Sequence, residues 1–332
     1  MSELLALLAE PWQLPFMRRA FAVAAIVGLV CGVVGVHVVL RGMAFIGDAV
    51  AHSAFPGVAL AYAFEGNLLL GGAAAGVTTA VLIAFVSQNR RLKEDTVIGV
   101  FFAFAFGLGI VLVSTRDSWT TDLSSFLFGQ VLAVDGADIR RVACVGAVLV
   151  AVLLALRKEL MAVALDRETA RAAGLPVLPL DLTLYVVVTA TIVMSLEAVG
   201  NILVLALLIT PAATARLLTE RLWAMTLLAS LLGCAGSVAG LYVSYAYDLA
   251  AGGSVVVVLT ALFVLTWLLA PRHGLATGLR FRRSLRRPLR TPATGTAGAG
   301  AAAGVAGGGG TGGGGAGGGG TGGGGAGGGA AA

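Results

Sequence analysis

The chain has 332 residues, of which 58% are hydrophobic and 12% are charged, with a formal net charge of +5. Soluble globular domains carry about 25% charged residues, so this composition excludes an ordinary soluble protein. Apolar runs of about 18 residues or more recur along the chain, and each could cross roughly 30 Å of hydrocarbon. The runs are continuous and do not alternate with period two, which argues against a transmembrane barrel. The sequence therefore predicts an all-α, polytopic helical membrane protein.

The apolar runs divide the chain into a series of predicted membrane helices. We expect about eight or nine; the least secure division is in one long apolar stretch that is divided only by "EAVGN". There Glu197 and Asn201 flank an expected solvated turn. A piece at 122–134 is too short to span and is predicted to be re-entrant or interfacial. The nine segments are 16–40, 43–64, 67–87, 94–115, 139–156, 181–196, 198–217, 222–247 and 253–270.

Two terminal regions flank the predicted membrane domain, which we place at 16–272. The N-terminal segment 1–15 carries Glu3 and Glu10 where a signal peptide would be basic, so no cleaved leader is expected. Residues 273–332 are first basic and then rich in Gly and Ala, which predicts a disordered tail. The basic stretch "LRFRRSLRRPLR" is typical of cytoplasmic anchoring next to lipid, and we expect no nucleic-acid partner.

The basic clusters after residue 85 fall on one face of the membrane if nine segments are counted. Cytoplasmic loops are enriched in Lys and Arg, so this face is predicted to be cytoplasmic and the N-terminus external. The pairs Arg18–Arg19 and Arg140–Arg141 then lie on the opposite side. Eight segments with a different first crossing is the alternative.

The stretch "RGMAFIGDAVAHSAFPGVALAY" carries Asp48 and, four residues later, His52. This spacing places both side chains on one helix face, one turn apart. A carboxylate and an imidazole can act as metal ligands or as a proton relay. Alternatively, Asp48 caps the helix start and His52 forms a hydrogen bond within the bundle. His37 either lines the same cavity or forms an interhelical hydrogen bond.

Other residues inside the apolar runs have simpler interpretations. The cysteines have no CxxC spacing and are predicted to be small packing residues rather than a disulfide framework or metal cluster. Gly28, Gly32 and Gly35 approximate small-xxx-small spacing, which lets helices approach closely. Pro211 removes a backbone hydrogen bond and is expected to kink its helix. The three cysteines are Cys31, Cys144 and Cys234.

The longest polar interruption before the tail is 157–180, "RKELMAVALDRETARAAGLPVLPL". Read as a helix, Arg157 to Ala173 mixes charged residues with apolar ones. Asp166 is expected to cap a second short helix, which Gly174 closes and Pro176 prevents from continuing. Such an element could dock another protein or be a solvated connector.

Four stretches together resemble the ABC-3 permeases, the membrane subunits of ABC-type zinc, manganese and iron uptake systems. The first and last are the most specific, and the resemblance covers roughly residues 14–272. The stretches are "VVLRGMAFIGDAVAHSAFPGVALAY" (38–62), "EDTVIGVFFAFAFGLGIVL" (94–112), "ALDRETARAAG" (164–174) and "AVGNILVLALLITPAATARLL" (198–218).

The resemblance implies a type II importer-like permease in a prokaryotic plasma (inner) membrane. Two permease chains, as a homodimer, would pair with two copies of a separate ATP-binding cassette ATPase. An extracellular metal-binding lipoprotein or periplasmic protein would deliver the metal. The chain has no Walker A motif, so we expect no enzymatic activity and no bound cofactor, with ATP used by the partner.

The resemblance also assigns roles to individual residues. Asp48 and His52 become ligands of the passing ion, with Zn²⁺ as the default substrate and Mn²⁺ or Fe²⁺ as alternatives. The loop after the middle segments becomes the coupling segment that docks on the ATPase. Its matching residues are Asp166, Glu168, Ala170 and Gly174.

Two other kinds of transporter remain as alternatives at this point. An importer for a siderophore or a cobalamin-like ligand would need a wider, mostly apolar passage. A proton-coupled secondary transporter would use Asp48 and His52 as a relay and would need no ATPase. An intramembrane hydrolase is not expected, because the chain lacks HExxH and Gly-x-Ser-x-Gly motifs.

Overall fold

The structure is a computed structural model that describes residues 10–88, 92–114 and 134–270. These residues are helical apart from short connections, in agreement with the predicted fold class. In chain order the helices are α1 (Pro15–Arg41), α2 (Ile46–Ala63), α3 (Leu68–Val86), α4 (Glu94–Ser114), α5 (Gly136–Ala155), α6 (Arg157–Leu165), α7 (Arg167–Ala172), α8 (Val177–Val199), α9 (Asn201–Leu218), α10 (Leu222–Tyr247) and α11 (Ala251–Leu269).

Some sequence-based predictions fall outside the described ranges. These are residues 1–9 of the N-terminal segment, the piece at 122–134 apart from its last residue, and the tail 273–332. Their structures, and the proposed division into domains, stay predictions.

The nine predicted segments coincide with α1–α5 and α8–α11. The largest difference at a boundary is four residues, at the start of α8, which was expected at 181 and begins at 177. The count of eight or nine spans is not confirmed. Among the described residues, six helices are long and apolar enough to cross a membrane: α1, α4, α8, α9, α10 and α11. The pair α5 and α6, bent by 62°, would be a seventh if counted as one span.

Helix α1 lies at the centre of the bundle and packs against α5, α8, α9 and α10. It begins with Pro15, whose fixed φ suits the first helical turn. It ends at Gly42, which has a left-handed φ of 71°. The expected close glycine packing is present, since Gly28 meets Gly233 of α10 and Gly35 meets the Leu208 carbonyl of α9. Side chains at these positions would separate the helices.

The chain between α8 and α9 is interrupted at a single residue, Gly200, whose φ of 82° and ψ of 161° are suited to glycine. The weak division predicted at "EAVGN" is therefore a real break. The expectation of a solvated turn is wrong for Asn201, which is 4% exposed. Helix α9 continues past the buried Pro211 as one helix to Leu218. A kink at this proline stays a prediction.

Candidate metal passage and coupling segment

Asp48 lies in the first turn of α2, and His52 follows one turn later. Both side chains are partly buried and close enough to interact electrostatically. The start of α2 packs closely against α9. A Cβ atom added at Gly47 would stand only 2.3 Å from Cδ2 of Leu205. The predicted pair is therefore formed on one helix face, at a helix start fixed by packing.

Two aromatic rings of α4 enclose the His52 imidazole. The ring of Phe102 lies 5.2 Å from it, centroid to centroid, at an interplanar angle of 75°, and that of Phe106 lies 5.1 Å away at 89°. The two phenyl rings lie nearly parallel to each other, 6.1 Å apart. These edge contacts restrict the imidazole without occupying a ring nitrogen as a hydrogen bond would. Neither ring was predicted from the sequence, although the two recur with helical spacing in "FFAFAF".

The pair does not by itself form a complete metal site. Among the described residues, no group of three or more His, Cys, Asp or Glu side chains could hold a metal ion. His37 is buried in α1, 7% exposed, and does not form such a group with Asp48 and His52. Within the described residues, Asp48 and His52 therefore bring together two potential metal ligands, a carboxylate and an imidazole.

The predicted coupling segment has the local structure expected from its sequence. Asp166 is the N-cap of α7, and its carboxylate accepts hydrogen bonds from the Glu168 N–H, at 2.9 Å, and from the Thr169 hydroxyl. These bonds hold the pKa of Asp166 below its usual range, the Thr169 bond contributing most. Gly174 ends the segment with a φ of 81°. Ala170 is buried, whereas Glu168 is exposed.

A largely buried group of four charged side chains, here called the ion cluster, joins this segment to the bundle. Asp181, at 0% exposure, accepts from Arg41 at 2.5 Å and from Arg167 at 2.9 Å. Arg167 also pairs with Glu94, at 2.5 Å. The cluster was not predicted from the sequence. The available indication was the lone aspartate at the edge of the apolar run "LDLTLYVVV".

Comparison with known proteins now identifies the family. A family model described as the ABC 3 transport family matches residues 13–270. The chain belongs to this family. The resemblance stated from four short stretches is thereby confirmed. The chain is a multi-pass permease subunit of a bacterial plasma membrane, and ATP hydrolysis resides in a separate subunit.

Three similar proteins illustrate the relationship. The chain is 40% identical over 262 residues to the "Manganese transport system membrane protein MntC" of Halalkalibacterium halodurans, covering 79% of this chain and 90% of that protein. It is 36% identical over 274 residues to the "Probable iron transport system membrane protein" of Haemophilus influenzae, covering 82% and 97%. The structure of "PsaBC from Streptococcus pneumoniae in complex with Fab" is 35% identical with a TM-score of 0.71, covering 81% of this chain and 97% of that one.

Proposed function

We propose that this ABC-3 permease imports Mn²⁺ and that Asp48 and His52 line the passage of the ion. The observation that supports this most is the pair itself, one turn apart at the packed start of α2, in a chain 40% identical to a manganese permease. An oxygen and a nitrogen ligand suit Mn²⁺, Fe²⁺ and Zn²⁺ alike. The names of the similar proteins favour manganese over iron and give no specific support to the zinc default.

The incomplete ligand set fits a passage shared by two chains. A homodimer would bring two copies of Asp48 and two of His52 to its two-fold axis, giving four ligands. The proposed ligands are carboxylates and imidazoles, with no thiolate among them. Such a site would be suited to releasing the ion as well as to binding it. An extracellular binding protein would supply the ion, and a separate ATPase docking at Asp166–Gly174 would drive alternating access.

Uptake of radiolabelled Mn²⁺ tests this function. The permease would be expressed with its cognate ATPase and binding protein in a bacterial host lacking its own manganese importers. Asp48→Ala and His52→Ala should each abolish most uptake at unchanged membrane level. Glu220→Ala, in the exposed loop after α9, and His273→Ala, in the tail, are the matched controls. Full uptake by the double variant would exclude the pair from the passage.

Two further arms separate the remaining alternatives. Excess unlabelled Zn²⁺ or Fe²⁺ is added to the labelled Mn²⁺, and the inhibition of Mn²⁺ uptake reports which ion the passage prefers. If Zn²⁺ or Fe²⁺ is itself taken up in preference to Mn²⁺, that ion replaces manganese as the proposed substrate. Omission of the ATPase should abolish uptake. Uptake that persists without it would instead indicate a proton-coupled secondary transporter.

A further inference from the structure

We propose that the ion cluster of Arg41, Glu94, Arg167 and Asp181 links movement of α7 to the two helices that enclose the metal passage. This inference rests on the proposed function, because it assigns positioning residues to that passage. All four residues lie at or near helix ends. Arg41 ends α1, Glu94 begins α4, Arg167 begins α7, and Asp181 lies in the second turn of α8.

The first connection runs from Arg41 to Asp48. Only residues 42–45 separate α1 from α2, and this turn is held by backbone bonds from Met43 N–H to the Val38 carbonyl and from Ile46 N–H to the Met43 carbonyl. Asp48 lies in the first turn of α2. A shift of the Arg41 end of α1 therefore moves the start of α2 and its carboxylate.

The second connection runs from Glu94 to His52. Glu94 is eight residues before Phe102 on α4, or about 12 Å along the helix axis. The Phe102 ring packs against the His52 imidazole, and Phe106 packs one turn further on. A displacement of the N-terminal end of α4 along or about its axis is therefore transmitted to the rings that restrict His52.

Helix α7 contacts this cluster through two arginine side chains, Arg167 and Arg171. Arg167 bonds both carboxylates, Asp181 at 2.9 Å and Glu94 at 2.5 Å. Arg171, one turn later, donates to Oε1 of Gln88 at 2.7 Å, and Nε2 of Gln88 donates to Asp181 at 3.2 Å. A rigid-body movement of α7 would pull on α4 and α8 together.

The ion cluster contains hydrogen-bonding atoms without partners. A cluster that exchanges between two sets of hydrogen bonds would need such atoms. Within the described part of the chain, Nη2 of Arg41 and Oε2 of Glu94 are buried without a hydrogen-bond partner. Tyr185 lies one turn beyond Asp181, and its hydroxyl interacts with Ser87 and with the charges of Glu94, Asp181 and Arg167. Leaving a buried charge without a partner is costly in free energy. Additional hydrogen-bonding atoms nearby would let an arginine of the cluster exchange one partner for another without leaving its charge unpaired.

Transport per ATP hydrolysed tests the link in the complete complex with its ATPase and binding protein. Arg167→Gln should lower the Mn²⁺ moved per ATP by about tenfold or more, in the range of typical coupling effects. Arg167→Lys, which keeps the charge, should restore much of the ratio. Arg221→Gln, an exposed arginine at the start of α10, is the charge-matched control. An unchanged ratio in Arg167→Gln, or equal loss of hydrolysis and transport, would overturn the proposal.

A second readout is independent of the transported ion. Phe106→Cys, in a Cys144→Ser/Cys234→Ser background, would be labelled with a maleimide in the presence and absence of ATP. The labelling rate should depend on ATP when Arg167 is intact and should lose that dependence with Arg167→Gln. ATP dependence retained in the variant would contradict the link. Absence of Mn²⁺ uptake with the labelling pattern intact would instead contradict the proposed function alone.

Discussion

Gly28 of α1 and Gly233 of α10 meet backbone to backbone, so that a Cβ on Gly28 would stand 2.6 Å from the Gly233 carbonyl oxygen. The obstacle is main chain, which cannot rotate away as a side chain can. The same close approach occurs from the other side, where a Cβ on Gly233 would stand 2.4 Å from the Gly28 oxygen. This contact fixes the distance between the central helix and α10.

Gly28→Ala should therefore destabilise the permease. Forcing a methyl group into a packed interface costs about 1–3 kcal/mol. The measurement is the thermal unfolding midpoint of the permease purified in detergent. Gly99→Ala is the matched control, because a methyl group on that helical glycine would meet no heavy atom within 4 Å. A midpoint for Gly28→Ala equal to that of Gly99→Ala would show that the helices can separate at little cost.

Phe106→Ala should raise the apparent KM for Mn²⁺, because it removes one of the two rings that orient His52. Aromatic contacts of this kind contribute about 0.5–1.5 kcal/mol, which corresponds to roughly two- to tenfold in KM. The comparison is Phe104→Ala on the same helix, where the ring is 64% exposed. Equal KM values for the two variants would mean that ring packing does not position the imidazole.

Asp166→Ala should loosen the start of α7, because it removes the acceptor for the Glu168 N–H and the Thr169 hydroxyl. Asp166→Asn keeps an acceptor and should have a much smaller effect. Hydrogen exchange of the α7 amides at pH 7 distinguishes the two variants. Equal exchange in the parent and in Asp166→Ala would show that the cap does not hold the helix.

The pH dependence of this cap has a definite sign. The folded pKa of Asp166 is lowered, so its carboxylate stabilises the folded state at all pH values above the unfolded pKa of about 3.9. The contribution is lost as the pH falls through the lowered folded value. Asp166→Asn should therefore leave the shape of the uptake–pH profile unchanged between about pH 5 and 8. A changed profile in that range would contradict the assigned pKa direction.

Gly174→Ala should destabilise the end of the coupling segment by about 1 kcal/mol or more, because φ is 81° there and a Cβ disfavours this region. Space is not the constraint, since no heavy atom lies within 4 Å of the methyl position. Gly174→Asn should cost less, because asparagine tolerates left-handed backbone. The measurement is the rate of proteolytic cleavage within 157–180 in the purified complex, which should be higher for Gly174→Ala than for Gly174→Asn. Equal cleavage rates for the two variants would exclude a backbone cause.

Features encoded by nearby residues were predictable from the sequence. The apolar runs indicated the helix positions because each run is continuous and bounded by polar or glycine residues. Asp166 and Gly174 were recognised because a cap and a left-handed helix end depend on neighbours within a few positions. Asp48 and His52 were found for the same reason, their spacing of four.

Features that depend on tertiary contacts were not predictable in this way. Asp181 finds Arg41 across 140 positions in the chain and Arg167 across 14. No local sequence pattern predicts ion pairs between residues so far apart in the chain. The hydrophobic pattern indicates only that Asp181 begins an apolar segment. Length and hydrophobicity also do not show that α5 and α6 are bent by 62°, so they do not determine how many helices span the membrane.

The composition of the ion cluster has an electrical consequence. It contains two guanidinium groups and two carboxylates, so in their ionised forms the four charges sum to zero. Moving one net charge through a membrane voltage requires work of about 2.3 kcal/mol per 100 mV, whereas moving this neutral group requires almost none. The movement of the ion cluster proposed above would therefore cost the same in an energised and a de-energised cell.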